Sequence, residues 1–267
     1  MKIFKNFSIL IIVYLTIVMI GGSFQKNLIF FPGKLSKDFK YELTERDEEI
    51  FLKTDDGEEI NALFYRGGKA EIVLYFHGNA GDLSNWQFIA EDFVSIGYNF
   101  LIIDYREYGK SSGEITEAGL YEDAEAAYRW IISKGFLQQD IIIYGRSIGT
   151  GVAADLASKH AIKGLILESP YMSLKKLANQ KAPYLLPSLF LQFHFNNIDK
   201  INSVKSPILF FHGAKDSLIP VSHTNELYEK FEGKKSRVII QEGTHNDLNS
   251  FSEYHDALAR TLPDLFS

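Results

Sequence analysis

Three side chains that could act together in acyl transfer follow three separate apolar runs of the sequence. Ser147 lies in GRSIG directly after IIIY, Asp216 follows ILFFHG, and His245 follows RVIIQ. A serine hydroxyl is a weak nucleophile at neutral pH and needs a nearby base such as imidazole, which a carboxylate can orient. If each run is a strand of one parallel sheet, the three side chains meet beyond the carboxyl ends of the strands. Their order along the chain therefore predicts a catalytic triad.

The glycines around Ser147 indicate a sharp turn between a strand and a helix. Gly145 and Gly149 stand two residues before and two residues after the serine, and small residues at these positions let a nucleophile stand exposed on such a turn. The turn places the amide of Ile148 at the start of the helix, where it can bind a developing oxyanion. The second donor is expected after the first long strand, at the amide of Asn79 in HGNAG.

Other titratable residues have simpler interpretations. Glu168 also ends an apolar run and is the alternative acid, but Asp216 is better placed relative to His245. His77 and His212 precede glycines at predicted strand ends, which is typical of structural loop histidines. The sequence has no cysteine, the histidines share no metal-ligand spacing, and neither HExxH nor GxxxxGK[ST] occurs. We therefore expect no metal and no cofactor.

The elements that must position these residues alternate along the chain. Helix-period segments, among them residues 84–97 and 247–262, separate six continuous apolar runs, which are EIVLYF, FLIID, DIIIYG, GLILES, ILFFHG and RVIIQ. This alternation predicts an α/β fold, with a mostly parallel sheet and helices on both faces. Ahead of it, EEIFLKT and EEINALFYR flank Asp55-Asp56-Gly57, a hairpin signal that predicts an antiparallel N-terminal edge.

A long apolar and aromatic insert interrupts this alternation at about residues 172–206. It contains YLLPSLFLQFHF, and a connection of this length inside a domain is usually functional or forms a subdomain. We expect a short cap over the site. The candidates for lining an acyl-chain pocket are Leu185, Leu189, Phe190 and Phe193. The alternative is a cap helix that packs only on its own domain.

The first 25 residues form a separate apolar segment. FSILIIVYLTIVMIGG lies within the uncharged stretch between Lys5 and Lys26, which is close to the ~20 residues that a helix needs to cross a bilayer. The favoured interpretation is an N-terminal membrane anchor over residues 1–25, followed by one domain over residues 26–267. A cleaved signal peptide is the alternative. Basic residues at the N-terminus predict a single-pass protein whose catalytic domain lies on the non-cytoplasmic side.

Composition narrows the classes of function. The 267 residues include 34 acidic and 28 basic side chains, for a net charge of -6. Nucleic-acid binding needs concentrated lysine and arginine, so we expect no nucleic-acid partner. The absence of cysteine excludes disulfides and thiol catalysis.

Everything after the apolar N-terminus resembles the α/β-hydrolase superfamily. The closer likeness is to the membrane-anchored serine-hydrolase branch that includes protein depalmitoylases and related lipid hydrolases. It rests on the motifs LIFFP, YFHGNAGD, IIDYREYGKSSG, IYGRSIGTG, LESPY, FFHGAKDSLIP and GTHNDL. The resemblance implies Ser147 as nucleophile, Asp216 as acid and His245 as base, with the amides of Asn79 and Ile148 as the oxyanion hole.

The motifs and the resemblance together predict a serine hydrolase that cleaves carboxylic esters or thioesters through an acyl-enzyme. The expected partners are a small-molecule or lipid-like acyl substrate and, through the N-terminal helix, a membrane. The alternatives are a serine peptidase or amidase, and a non-catalytic binding module on the same fold. One departure from the branch is Glu107, where glycine is common in DYRGYG. It raises a question about the shape of that loop and not about the triad.

Overall fold

Ten strands build two sheets in the computed structural model, which describes residues 14, 16, 25–185 and 190–266. The strands are β1 Phe31–Pro32, β2 Glu48–Lys53, β3 Glu59–Tyr65, β4 Ile72–Phe76, β5 Ala80–Gly81, β6 Asn99–Ile103, β7 Ile141–Arg146, β8 Gly164–Glu168, β9 Ile208–Gly213 and β10 Lys235–Ile240. The main sheet has the order β10-β9-β8-β7-β4-β6-β3-β2, and the small sheet pairs β1 with β5.

The main sheet is mostly parallel, with an antiparallel edge at β2 and β3. The pair β2–β3 is a hairpin, β3 also runs antiparallel to β6, and the remaining neighbours are parallel. Every residue of the central strands β4, β6, β7 and β8 is buried. This burial explains why their sequences are continuous apolar runs and do not alternate. The predicted fold class and all six predicted parallel strands are confirmed.

Helices cover both faces of this sheet. Those of the described residues are α1 Gln25–Ile29, α2 Leu83–Trp86, α3 Glu91–Val94, α4 Glu117–Ser133, α5 Gly149–Lys159, α6 Leu174–Lys181, α7 Asn197–Lys200, α8 Ser222–Lys230, α9 Ser252–Asp256 and α10 Leu262–Leu265. Side chains of β4 alternate between two apolar cores: Leu74 packs with residues of α4 and α5, whereas Tyr75 packs with residues of α2, α3 and α10.

Two of the predicted helices are broken into shorter pieces. The segment predicted as one helix over residues 84–97 has a 3₁₀ turn, Gln87–Ala90, between α2 and α3. The segment predicted over residues 247–262 contains a π-helical turn, Ala257–Thr261, between α9 and α10. Pro263 follows that turn and has no amide to donate to the carbonyl four residues earlier, which interrupts the regular α-helical bonding.

The insert after β8 is only partly helical. It contains α6, α7 and the 3₁₀ turns Pro183–Leu185 and Ile201–Ser203. Ser173 caps the start of α6 by accepting a hydrogen bond from the Lys176 amide. Near the end of the insert, the buried Asn197 amide donates to the carbonyl of Tyr171 at 2.9 Å, which fixes the returning chain to the end of β8.

The predicted membrane anchor, and the single-pass localisation derived from it, are contradicted. No helix within residues 25–185 and 190–266 is long and apolar enough to cross a membrane. Helix α1, at the start of the range described from residue 25 onwards, has 5 residues, whereas a transmembrane helix needs about 20. Residues 1–13, 15 and 17–24, where the anchor was expected, lie outside the described part of the chain.

Candidate active site

The structure brings Ser147, Asp216 and His245 together beyond the carboxyl ends of β7, β9 and β10. The Nδ1 atom of His245 lies 2.7 Å from Oδ2 of Asp216, and its Nε2 atom lies 2.9 Å from Oγ of Ser147. A carboxylate only accepts hydrogen bonds, so Nδ1 carries the proton and Nε2 is free to accept from the serine hydroxyl. This arrangement can transfer a proton from Ser147 to His245.

The backbone at Ser147 has the strain expected of a sharp turn. Its φ angle is 53°, in the left-handed region that side chains other than glycine rarely adopt. A Cβ atom on Gly149 would lie 2.2 Å from the carbonyl oxygen of Phe76, and one on Gly145 would lie 2.6 Å from Cβ of Ala153. The flanking glycines are therefore required for the helix to approach the neighbouring strand.

Two backbone amides border the cavity beside Ser147. They belong to Asn79 and Ile148, both of which line that cavity, and neither amide donates to another described residue. The carbonyl of Asn79 accepts from the Phe31 amide and from the Tyr108 hydroxyl, each at 2.8 Å. These contacts hold Asn79 in place while its amide remains available to an oxyanion.

Asp216 is surrounded by hydrogen-bond donors. Its Oδ1 atom accepts from the amides of Leu218 at 2.9 Å and Ile219 at 2.8 Å. Its Oδ2 atom contacts His245 and, at 3.3 Å, Nε2 of His212. Burial alone would raise the pKa of Asp216, but the hydrogen bonds from His212 and His245 hold it well below its usual value. The carboxylate is therefore charged, as an orienting acid must be.

His77 and His212, both predicted to be structural loop histidines, are buried and hydrogen-bonded, and His212 lies within β9. His212 carries its proton on Nε2, which lies 2.8 Å from the Ile219 carbonyl, while Nδ1 accepts from the Thr224 hydroxyl at 2.6 Å. His77 contacts the Gly78 carbonyl through Nδ1 at 2.6 Å and lies 3.5 Å from Asp104. His77 thus supports loop structure, whereas His212 also touches the acid, a contact that sequence reasoning missed.

Glu168, the alternative acid, has a different partner. It is buried and forms an ion pair with Nε of Arg146 at 3.1 Å. The Nη2 atom of Arg146 in turn donates to the carbonyl of His245 at 3.3 Å. Glu168 therefore belongs to a buried network beneath the histidine loop. Among the described residues, no group of three or more acidic, histidine or cysteine side chains could hold a metal ion.

An apolar cavity of about 200 Å³ opens beside Ser147. It contains no charged side chain among the described residues, and its aliphatic lining is Leu28, Ile29, Ile148, Leu174, Leu177, Ala178, Leu191, Leu218 and Ile219. A larger open groove of about 810 Å³, between the loop before β2 and helix α3, contains no residue of the predicted triad. Of these two cavities, the one beside Ser147 borders a residue of the predicted triad.

The four residues expected to line this cavity lie elsewhere or outside the described structure. Phe193 is 5% exposed and packs in the core at 4.9 Å from Phe30, measured between ring centroids. Phe190 is not among the lining residues. The side chain of Leu185 and all of Leu189 lie outside the described residues. The insert instead lines the cavity through Leu191 and one face of α6. The apolar residues on that face have the helical spacing i, i+3, i+4, a signal visible in the sequence.

Comparison with known proteins finds alpha/beta hydrolases, both by family model and by sequence identity. A family model described as the alpha/beta hydrolase fold matches residues 71–196. The chain is 34% identical over 232 residues to human alpha/beta hydrolase domain-containing protein 17B, which covers 83% of this chain and 77% of that protein. Its identity to protein 17C of Xenopus tropicalis is also 34%, over 84% of this chain and 73% of that protein.

Solved structures show the same fold. An esterase of Pyrococcus furiosus has a TM-score of 0.74 at 20% identity, covering 90% of this chain and 99% of its own. An esterase of Exiguobacterium antarcticum has a TM-score of 0.63 at 17% identity, covering 81% and 100%.

Proposed function

The chain belongs to the α/β-hydrolase superfamily, and we propose that it is a serine hydrolase that cleaves carboxylic esters or thioesters of apolar acyl groups. The observation that carries this proposal is the continuous set of hydrogen bonds from Asp216 through His245 to Ser147, next to two available amides. The esterases among its structural neighbours support the same class of substrate.

The proposed reaction has two steps. The Oγ atom of Ser147 attacks the acyl carbonyl carbon while Nε2 of His245 takes the hydroxyl proton. The amides of Asn79 and Ile148 donate to the resulting oxyanion, and the leaving alcohol or thiol receives the proton back from His245. Water, deprotonated by His245, then attacks the acyl-enzyme carbonyl; the bond to Oγ breaks, His245 returns the proton to Ser147, and the carboxylic acid is released. Asp216 stays ionised and stabilises the imidazolium in both steps.

The lining of the cavity supports an apolar acyl group. Leu174, Leu177 and Leu191 can bury methylene groups, each worth about 0.8 kcal/mol of transfer free energy. A cleaved peptide would need a place for polar backbone on both sides of the scissile bond, and the described cavity wall is predominantly apolar. We propose that α6 and the rest of residues 172–206 form a cap over this acyl site.

The test is labelling with a fluorophosphonate, alongside hydrolysis of 4-nitrophenyl esters of increasing acyl length. Wild type should be labelled once per chain, and Ser147→Ala should lose both labelling and turnover. Ser169→Ala is the matched control, because Ser169 is also buried with a left-handed φ of 48°, and it should remain active. If folded wild type is not labelled by the fluorophosphonate, the proposal is wrong and a non-catalytic binding module is favoured.

A further inference from the structure

The backbone at Glu107 has a conformation that glycine favours. Its φ angle is 66°, and residues with a Cβ atom adopt this region at a cost. A side chain that is kept at a strained position calls for a compensating interaction.

The Glu107 side chain has two partners. Its carboxylate oxygens accept from Nζ of Lys26 at 3.2 and 3.0 Å, and Oε2 also accepts from the Ile115 amide at 3.1 Å. Burial raises the pKa of Glu107, but the Ile115 amide and Lys26 outweigh it, so the pKa lies below its usual value. Glu107 therefore attaches the segment that carries Lys26 to its own loop.

That segment, which we call the N-terminal strap (residues 25–35), also contacts the insert. The side-chain oxygen of Gln25 accepts from the Gln192 amide at 2.7 Å, and its side-chain nitrogen donates to the Phe190 carbonyl at 3.1 Å. Leu28 and Ile29 line the cavity beside Ser147. The strap thus forms one wall of the acyl site.

The strap is also bonded to the loop that carries Asn79. The Phe31 amide donates to the Asn79 carbonyl at 2.8 Å, and the Asn79 side chain donates to the Ile29 carbonyl at 2.9 Å. The Asn79 carbonyl also accepts from the hydroxyl of Tyr108, the residue next to Glu107. Asn79 is therefore held between the strap and the Glu107 loop.

We propose that Glu107 is a positioning residue: through Lys26 it holds the strap against Asn79 and against the acyl site. The inference rests on the proposed function, because it assigns Glu107 a part in building that site. Fixing the strap orients one oxyanion-hole amide and sets the width of the acyl cavity. Its loss should therefore change both the rate of the chemical step and the preference for chain length.

Three variants at two positions test the ion pair without adding backbone strain. Glu107→Gly keeps a residue that adopts the same φ angle freely and removes the carboxylate. Lys26→Met removes the other half of the ion pair, and Lys26→Arg preserves it. The matched control is Lys163→Met, because Lys163 pairs with Glu71 at 3.4 Å with similar exposure. Both of these residues lie at the amino ends of the strands, away from the candidate site.

The measured quantity is kcat per active site. The number of active sites in each variant is counted by fluorophosphonate labelling. Glu107→Gly and Lys26→Met should each lower kcat about fivefold to tenfold on short and long esters alike, because a misplaced donor stabilises the oxyanion less well. KM should lose its dependence on acyl length. The Phe31 and Gly33 amides should exchange hydrogen faster, whereas Lys26→Arg and Lys163→Met should match wild type.

The outcomes distinguish this inference from the proposed function. If both variants lose only thermal stability or the number of labelled sites, with unchanged kcat per site, Glu107 is merely structural and the inference is wrong. An equal loss in Lys163→Met would overturn it as well. If wild type is neither labelled nor active, the proposed function fails, and unchanged hydrogen exchange in the variants would separately contradict the fastening of the strap.

Discussion

Asp216, the proposed catalytic acid, shows how single contacts can keep a buried carboxylate charged. Two backbone amides and two imidazoles surround its carboxylate, so it remains charged although it is buried. Asp216→Asn should lower kcat by about 10³- to 10⁴-fold, because an amide cannot hold His245 in the required tautomer. The measurement is turnover per folded protein, with unfolding curves as the control. Activity within tenfold of wild type would show that another group orients the base.

The same carboxylate predicts a pH dependence of stability. Because the pKa of Asp216 is lower in the folded protein than the usual value of about 3.9, the unfolded chain binds more protons in that range. The stabilisation is complete above the usual value and is lost as the pH falls through the folded one. The free energy of unfolding, measured in urea, should therefore fall faster below about pH 4 for wild type than for Asp216→Asn. Parallel curves would contradict the assigned charge.

Arg146 and Glu168 form the buried pair beneath the histidine loop. Glu168 is 3% exposed, so Arg146→Met leaves an uncompensated buried charge and should cost about 3–5 kcal/mol of unfolding free energy. Arg129→Met is the control, because its partner Asp55 is exposed and the expected cost is below about 1 kcal/mol. Chemical denaturation measures both, and equal costs would mean that the buried pair is solvated.

At the scale of elements, the sequence predicted what local pattern determines. Strands β4, β7 and β8 are buried on both faces, so the sequence of each is a largely continuous apolar run that predicts a buried strand. The hairpin and the turn at Ser147 were likewise visible, since glycine positions mark them. The rest of the cavity wall beyond α6 was not, because Leu28, Leu191 and Leu218 line it from segments far apart in the chain. Their presence at one cavity is a property of the tertiary structure, and no local period indicates it.

Helix α6 offers a direct test of the acyl cavity. Leu177 faces the cavity, so Leu177→Trp should shorten it and lower kcat/KM about tenfold for the longest accepted ester. The acetyl ester, which does not reach that wall, should be nearly unaffected. Lys175→Trp is the matched control, because Lys175 is exposed on the same helix. A chain-length profile unchanged by Leu177→Trp would place the acyl group elsewhere.

At the scale of the whole molecule, the two ends of the parallel strands have different tasks. The carboxyl ends of β7 and β9 carry the candidate site, and this topology is why the three side chains could be expected to meet before any distance was known. The amino ends carry packing instead. Gly164 is the first residue of β8, and a Cβ atom added to it would lie 2.4 Å from the ring of Phe266. Phe266 is buried and follows α10.

This division predicts that damage at the amino ends lowers stability and leaves catalysis intact. Gly164→Ala must displace Phe266 and should cost about 1–3 kcal/mol, seen as a lower Tm, while kcat per labelled serine stays at the wild-type value. Gly68→Ala is the control, since its added Cβ meets nothing within 4 Å and should leave Tm nearly unchanged. A fall in kcat per site in Gly164→Ala would contradict this division. It would mean that the displacement at the start of β8 also shifts Glu168 and the turn at Ser147.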